Sequence, residues 1–378
     1  MDLDQSYPAI SDLAARARRR LPRFVWDYMD SATGTEATAA RNRAALDAIR
    51  FRPAILTGEI EPDLSVRLLG RDYALPFGVA PVGMSSLIWP DAERILARLA
   101  RREGIPYTLS TVAAREPEDV GPHAGDGAWF QLYAPRDPEI RSDMLRRVRA
   151  AGFGTLVLTA DLPATSRRER QRRGGVTHPP RLSPRILAQV ALRPAWALAT
   201  ARAGMPRLKF IESYTGKSGA LSSTAHVGYL IRTSPDWDYL RWLRDNWDGP
   251  LVVKGVLEAE DAVRLKEEGV DAVWVSNHAG RQFDAAPAAI ERLPAVRQAV
   301  GPEFPLIFDS GIMGGLDILR ALAKGADFVM AGKAFHYGLG AFGARGAAHA
   351  VHILREDLKA NLGQMGLASY AGLAGRLL

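Results

Sequence analysis

The chain has 378 residues, 47% hydrophobic and 24% charged, the make-up of a soluble globular protein long enough for one large barrel or two ordinary domains. It contains no cysteine, which excludes disulfide frameworks, thiolate metal sites, iron–sulfur clusters and cysteine nucleophiles. The net charge of +7 is concentrated: between Arg167 and Lys217, twelve Arg and Lys residues face only Glu169 and Glu212, a local balance of +10 that leaves the remainder at −3.

The N-terminus is acidic (Asp2, Asp4) and then basic (Arg16 to Arg20) without an apolar core, so it does not read as a signal peptide. No run has the length of a membrane span, and a cytoplasmic setting is compatible with these features. Residues 9–50 read as helices with a polar loop and 51–76 as a short linking segment. Residues 1–76 thus form an N-terminal cap on a single domain spanning 1–378, not a domain of their own.

From residue 77 the chain repeats a short apolar, β-rich run followed by an amphipathic helical stretch, the pattern of parallel βαβ units. The runs are 77–81, 106–110, 129–133, 155–159, 251–254, 272–276, 306–309 and 328–331. Eight runs predict a closed barrel over 77–378. Helical stretches at 91–103, 138–150, 258–268 and 316–324 have the length to cover its outside, and Gly104, Gly152, Gly269 and Gly325 follow them as left-handed terminators. The spacing from Asp161 to Leu251 breaks the rhythm and places a long basic insertion, 162–236, at the barrel's C-terminal mouth. The fold class is therefore α/β, a (β/α)8 barrel with an N-terminal helical cap and a long insertion after strand 4.

Polar residues at the C-terminal ends of strands are where a barrel carries its chemistry, whereas the same residues in mid-core are costly. Ser110, Gln131, Tyr133, Thr159, Asp161, Lys254, Ser276, Asn277, His278, Arg281 and Asp309 all fall at or just beyond strand ends. The stretch from Val275 to Asp284 sets His278 and Arg281 three residues apart, a base that titrates near neutrality beside a fixed cation suited to a carboxylate.

With Leu21 to Tyr28, Ala80 to Met84, Phe130 to Tyr133, Leu158 to Asp161, Arg167-Arg168 and Val253 to Gly255, this stretch resembles the FMN-dependent 2-hydroxy acid oxidases and dehydrogenases of the TIM-barrel fold, in order and over essentially the whole chain. The resemblance implies that His278 is the base and that Asp161 holds its imidazole. It implies that Arg168 and Arg281 clamp the substrate carboxylate, with Tyr28 and Tyr133 hydrogen-bonding to substrate. Lys254 would stand by the flavin pyrimidine, Ser110, Gln131 and Thr159 along the isoalloxazine edge, and Pro81, Val82 and Gly83 along its face, with Ser276, Asp309, Gly311, Gly332 and Lys333 completing the cofactor site. It also implies a homo-oligomer, a tetramer, and an electron acceptor that is either a quinone or O2. Which 2-hydroxy acid is oxidised stays open, from lactate and glycolate to mandelate and larger acids.

Three positions depart from the family. Met313 stands where an arginine normally holds the FMN phosphate, Lys333 replaces a second arginine, and Ala279 replaces the glycine after the histidine. Met313 predicts weaker FMN binding, and with Ala279 it motivates an alternative in which the barrel binds but no longer turns over. The intact set Tyr28, Tyr133, Arg168, Lys254, His278 and Arg281 argues against it. Another FMN-barrel reaction, such as isomerisation, would not need two arginines and a histidine base.

The remaining motifs are weaker. Gly216-Lys217-Ser218 imitates the end of a P-loop without its first glycine, and Gly338 to Gly343 imitates a dinucleotide fingerprint inside a helical stretch. His349 and His352 could share a helix face, but no carboxylate constellation lies nearby, and they read as packing or surface groups rather than a metal site. His123, His178, His226 and His336 carry no signal. The basic insertion reads either as a solvated loop or as an attachment to an anionic membrane, with Ile186, Leu187, Val190, Leu192, Trp196 and Leu198 entering the interface. Such a loop resembles that of the membrane-associated mandelate dehydrogenases and implies a peripheral position on the inner face of the cell membrane. No nucleic-acid reading module accompanies the charge.

Overall fold

The apolar runs become strands because both faces of a parallel sheet are covered. In this computed structural model, residues 1–175, 183–215 and 234–378 are described. Two short strands come first, β1 (Val66–Leu68) and β2 (Arg71–Tyr73), followed by β3 (Phe77–Val79), β4 (Tyr107–Ser110), β5 (Ala128–Leu132), β6 (Thr155–Thr159), β7 (Leu251–Val256), β8 (Ala272–Val275), β9 (Leu306–Phe308) and β10 (Phe328–Ala331). Strands β3 to β10 pair in parallel in chain order, and β10 closes on β3. The helices Ala92–Glu103, Pro138–Ala150, Ala259–Glu267 and Gly315–Ala323 match the expected ones within a residue or two. Gly104, Gly152, Gly269 and Gly325 all take positive φ.

The period of two along a strand sorts the barrel interior into layers. Trp129, Val157, Val252, Trp274 and Ile307 join Phe328 and Met330 in one buried apolar cluster. Two residues further along the same strands come Gln131, Thr159, Lys254, Ser276 and Asp309, which carry the polar groups to the mouth above that floor. The linking segment expected at 51–76 contains the antiparallel hairpin β1–β2, turned at Leu69 (φ 49°) and Gly70 (φ 77°). Its Leu68 and Tyr73 join the interior cluster, and Trp129 Nε1 donates to the Tyr73 hydroxyl at 3.3 Å. The hairpin packs against the barrel interior on the side away from the polar rim. A Leu-Gly turn lacks the Asn-Gly or Asp-Gly signature, so periodicity did not reveal it.

The N-terminal helices Ile10–Arg20, Arg23–Asp30 and Ala37–Asp47 pack on the barrel. Gly338 lies within the helix Lys333–Phe342, and a Cβ there would come within 2.3 Å of the Gly346 carbonyl oxygen. The false dinucleotide fingerprint is thus a close crossing with the following helix, Ala344–Gln364. On that last helix His349 contacts the Tyr7 carbonyl at 2.9 Å and His352 the Asp4 carboxylate at 3.1 Å, docking the N-terminus. Residues Gly216-Lys217-Ser218, Arg181, His178 and His226 lie outside the described residues.

The insertion between β6 and β7 carries the helices Glu169–Gly174, Pro184–Ala191, Pro194–Ala203 and Lys209–Thr215. Trp196 corrects an expectation: it is 2% exposed and donates from Nε1 to the Leu87 carbonyl at 3.1 Å. Its ring meets Phe24 edge-on at 5.8 Å. A wide ring with a donor finds both partners in the cap and barrel mouth, so Trp196 fastens the insertion to the body of the protein. Ile186 and Val190 are likewise half-buried, whereas Leu187, Leu192, Leu198 and Met205 are half or more exposed.

Candidate functional site

A cavity of about 1080 Å³ opens at the barrel mouth. Tyr28, Pro81, Val82, Gly83, Gln131, Tyr133, Thr159, Arg168, Lys254, His278, Arg281, Asp309, Gly311, Gly332 and Lys333 all line it. Ser110, Asp161 and Ser276 stand behind the wall, each bonded to a residue that lines it. Ser110 Oγ donates to Gln131 Oε1 at 2.8 Å, and Gln131 Nε2 donates to Thr159 Oγ1 at 2.9 Å, so one line of hydrogen bonds orients the Gln131 amide across three strands.

Asp161 lies beyond the end of β6 with both oxygens 3.1 Å from His278 Nδ1. Gly255 makes room for it: its φ is +104°, and a Cβ there would come within 2.5 Å of Asp161 Cβ. The register of β7 against β8 shifts at the same place. Burial pushes the Asp161 carboxyl up, but the charge and hydrogen bond of His278, with Lys254, outweigh it and hold the carboxyl below its ordinary range. An ionised carboxylate only accepts, so Nδ1 carries the imidazole proton and Nε2 is the basic nitrogen. Burial is also the largest influence on His278 and pulls it below the usual histidine value, against the upward pull of Asp161.

Lys254 is buried, with Nζ 3.1 Å from Asp309 Oδ2 and 2.8 Å from Ser276 Oγ, and 5.2 Å from the centre of the Trp274 ring. Arg281 donates to the carbonyls of Tyr28 (3.1 Å) and Ser31 (2.5 Å) at the end of the helix Arg23–Asp30. Burial, then the neighbouring Arg168, pulls its guanidinium down to about 10, which leaves it charged at neutral pH. Tyr28 donates to the Gly83 carbonyl at 2.8 Å. Across the barrel from Lys254, Lys333 donates to the Asp30 carbonyl at 2.7 Å, and burial pulls its ammonium down to about 8.

Two residues absent from the sequence-based site belong to it. Asn42, on the helix Ala37–Asp47, exchanges amide hydrogen bonds with Asn277 at 2.8 and 2.6 Å, and Ser310 lines the cavity beside Asp309. Asn42 lies far from the strand ends that direct attention to active sites, and Ser310 carries no charge. Met313 also lines the cavity, and its N–H donates to Asp317 Oδ2 at 3.0 Å. Arg43 does not supply the missing cation there, because Asp317 holds it in a two-pronged pair at 2.6 and 2.7 Å.

The cavity thus offers neutral donors and a paired ammonium on one side, and a half-buried cation with glycine-bearing backbone on the other. That donor set fits a flavin mononucleotide, a polar-edged ring with a phosphate tail. Residues 17–378 match the sequence model of the FMN-dependent dehydrogenases, and the chain belongs to that family. It is an FMN-dependent enzyme that oxidises 2-hydroxy acids and passes the electrons to a redox acceptor.

Among individual relatives, the chain is 37% identical over 374 residues to the L-lactate dehydrogenase of Ectopseudomonas mendocina, covering 98% of each chain. It is 38% identical over 367 residues to the L-lactate dehydrogenase of Caulobacter vibrioides, covering 96% of this chain and 95% of the relative. The solved structure of the monotopic membrane protein (S)-mandelate dehydrogenase superposes with a TM-score of 0.91 at 34% identity over 98% of both chains. A mandelate oxidase structure gives 0.80 at 30% identity, again over 98% of both chains.

The Lys254–Asp309 pair generates a stability prediction. Asp309→Ala leaves a buried ammonium without its counter-charge and should destabilise the protein by about 3–5 kcal/mol, whereas the double variant Lys254→Met/Asp309→Leu should recover most of that loss. Urea unfolding of the two variants measures it. Equal losses in both would show that the residues contribute separately and not as a pair.

Proposed function

We propose that the protein oxidises an (S)-2-hydroxy acid to the 2-oxo acid with His278 as base. The contact of His278 Nδ1 with both Asp161 oxygens carries this reading, since it leaves Nε2 as the basic nitrogen of a residue that lines the cavity. Arg168 and Arg281 hold the substrate carboxylate, and Tyr28 and Tyr133 orient it. Met84, Val112, Leu162 and Leu208 give the same cavity an apolar wall, which supports substrates with an apolar substituent, from lactate to mandelate. FMN, when bound, takes up the two electrons of the oxidation. His278 takes up a substrate proton at Nε2, and Asp161 stabilises the imidazolium that results. Lys254 would supply a positive charge to the bound flavin, with Gln131 and Thr159 as hydrogen-bond partners, Pro81 to Gly83 as further lining and Ser110 and Ser276 in support. Gly311, Gly332 and Lys333 would hold the phosphate.

In anaerobic mixing, one enantiomer of a 2-hydroxy acid should bleach the flavin absorption, and His278→Ala should abolish bleaching while FMN stays bound. The base works as the neutral imidazole, so kcat/KM should hold its plateau above neutral pH until Arg281 begins to lose its charge near 10, and should fall as the pH drops through the folded-state value of His278. With that value lowered by burial, the midpoint of the acid limb belongs below about 6.5, the ordinary histidine value. A midpoint above it would contradict the assignment.

Met313→Arg should tighten FMN binding by about 1.5–3 kcal/mol through a charge-assisted contact to phosphate, read by fluorescence titration of free FMN. An unchanged dissociation constant would show that Lys333 and the backbone suffice, or that Asp317 captures the new guanidinium.

The electron acceptor proposed is a membrane quinone, with O2 as the alternative. Among the described residues no helix is long and apolar enough to cross a membrane. The insertion supports peripheral attachment instead, because Leu187, Leu192, Leu198 and Met205 are exposed on a stretch that also carries Arg185, Arg193, Arg202 and Arg207. By family resemblance the enzyme is a homotetramer. Full-length protein should bind anionic vesicles at low salt and detach as ionic strength rises. Leu187→Ser with Leu192→Ser should weaken binding even at low salt. Trp196→Ala should instead cost about 3–5 kcal/mol of stability, as a buried aromatic does. Indifference to vesicles at low salt would make the insertion a lid or an oligomer contact.

A further inference from the structure

The backbone around His278 is unusual. His278 (φ 56°) and Ala279 (φ 54°) are consecutive non-glycine residues in the left-handed region, a conformation that L side chains disfavour and that persists only where surrounding structure enforces it. Their neighbourhood shows what enforces it. Three successive N–H groups turn toward two hydroxyls: Asn277 N and Ala279 N donate to Ser310 Oγ at 3.3 and 3.1 Å, and His278 N donates to Ser276 Oγ at 3.0 Å. Such a run of N–H groups forms a concavity that ordinarily takes an anion; here serine oxygens fill it.

Both hydroxyls are themselves held. Ser310 Oγ donates to Asp309 Oδ1 at 2.9 Å, so its one proton and its acceptor capacity are all engaged. Ser276 Oγ accepts from Lys254 Nζ at 2.8 Å, and Lys254 pairs with Asp309 at 3.1 Å. The four side chains form a connected set, Ser310 to Asp309 to Lys254 to Ser276, that grips the loop on either side of the imidazole. Ser310 is itself at φ 90°, where glycine is the natural residue. A serine held there against its own preference points to the hydroxyl as the reason for its presence.

We propose that Ser310 is a positioning residue for the reaction: its hydroxyl, with that of Ser276, binds the N–H groups of Asn277 to Ala279, holds His278 and Ala279 in the left-handed turn that aims His278 at the substrate, and ties this turn to the Lys254–Asp309 pair. The proposal rests on the assignment of His278 as base. Ser310 acts through the loop and not on substrate. The substrate carboxylate is held by Arg281, whose guanidinium is anchored independently on the carbonyls of Tyr28 and Ser31. Loss of the Ser310 hydroxyl therefore falls on the chemical step and spares substrate affinity.

The test compares Ser310→Gly and Ser310→Ala with wild type in anaerobic stopped-flow reduction of the FMN-loaded enzyme, using (S)-lactate and (S)-mandelate and their 2-deuterated forms. Both variants should reduce flavin roughly 100-fold more slowly, the penalty expected of a reacting group displaced by about 1 Å. The substrate concentration at half-maximal rate should change far less, and the deuterium isotope effect should rise toward its full value as cleavage of the C2–H bond becomes limiting. Glycine makes the comparison decisive because it suits φ 90° better than serine. If the position serves only the turn, Ser310→Gly will fold at least as stably as wild type and reduce flavin at the wild-type rate, which would overturn the proposal. Should Ser310→Ala fail to fold, Ser310→Gly carries the test alone, with flavin content and thermal unfolding as controls. His278→Ala is run alongside: if it reduces flavin at the wild-type rate, the base assignment falls and the proposal with it. If only His278→Ala is slow, the base stands and the positioning role fails.

Discussion

The ammonium of Lys254 is the demanding group in this molecule. It is almost fully enclosed at the top of a barrel whose floor is Trp129, Val157, Trp274 and Phe328, and a charge in such surroundings persists only with a partner and hydrogen bonds. Asp309 and Ser276 supply them. Lys254 lies on β7 and Asp309 just past β9, so the pair spans β8, which lies between them. The loop leaving β8 carries His278 and Arg281, and it leaves from between the two strands that the pair bridges.

Satisfying that charge organises much of what surrounds it. Positions two residues on from the apolar floor must be polar on several strands at once, because period two returns them to the interior and the mouth is where they find partners. Gln131 and Thr159 bond to each other, Lys254 to Ser276 and Asp309, and none is left facing hydrocarbon alone. The N-terminal cap completes the arrangement. Its carbonyls receive Arg281 and Lys333, and its Asn42 pairs with Asn277. The cap is therefore a wall of the site.

The insertion follows a different logic. Its basic composition draws attention to solvent and membrane, yet Trp196 is turned inward, Arg193 donates to the Leu21 carbonyl at 3.2 Å and Gln189 accepts from Phe24 N at 3.0 Å. The segment is thus a surface element fastened at chosen points, with other apolar residues left outward. An exposed leucine beside arginines and a buried tryptophan in the same short helix do different physical work.

The barrel, its strand order and most of its mouth were legible in the sequence alone, because eight β-rich runs separated by helical stretches permit few parallel arrangements even with one long insertion, and because polar residues at strand ends have only the mouth to face. It also marked His278, Arg281 and Lys254, since charged groups beside apolar strands are conspicuous in any reading. Only the tertiary structure decided what holds them. Asn42 and Ser310 act through contacts between residues 235 and 31 or more positions apart along the chain, and a neutral amide or hydroxyl looks the same in sequence whether it is solvated or supports a strained loop. The orientation of Trp196 is of the same kind: periodicity says that a tryptophan is apolar, but whether it meets lipid or Phe24 depends on which surface the fold brings to it.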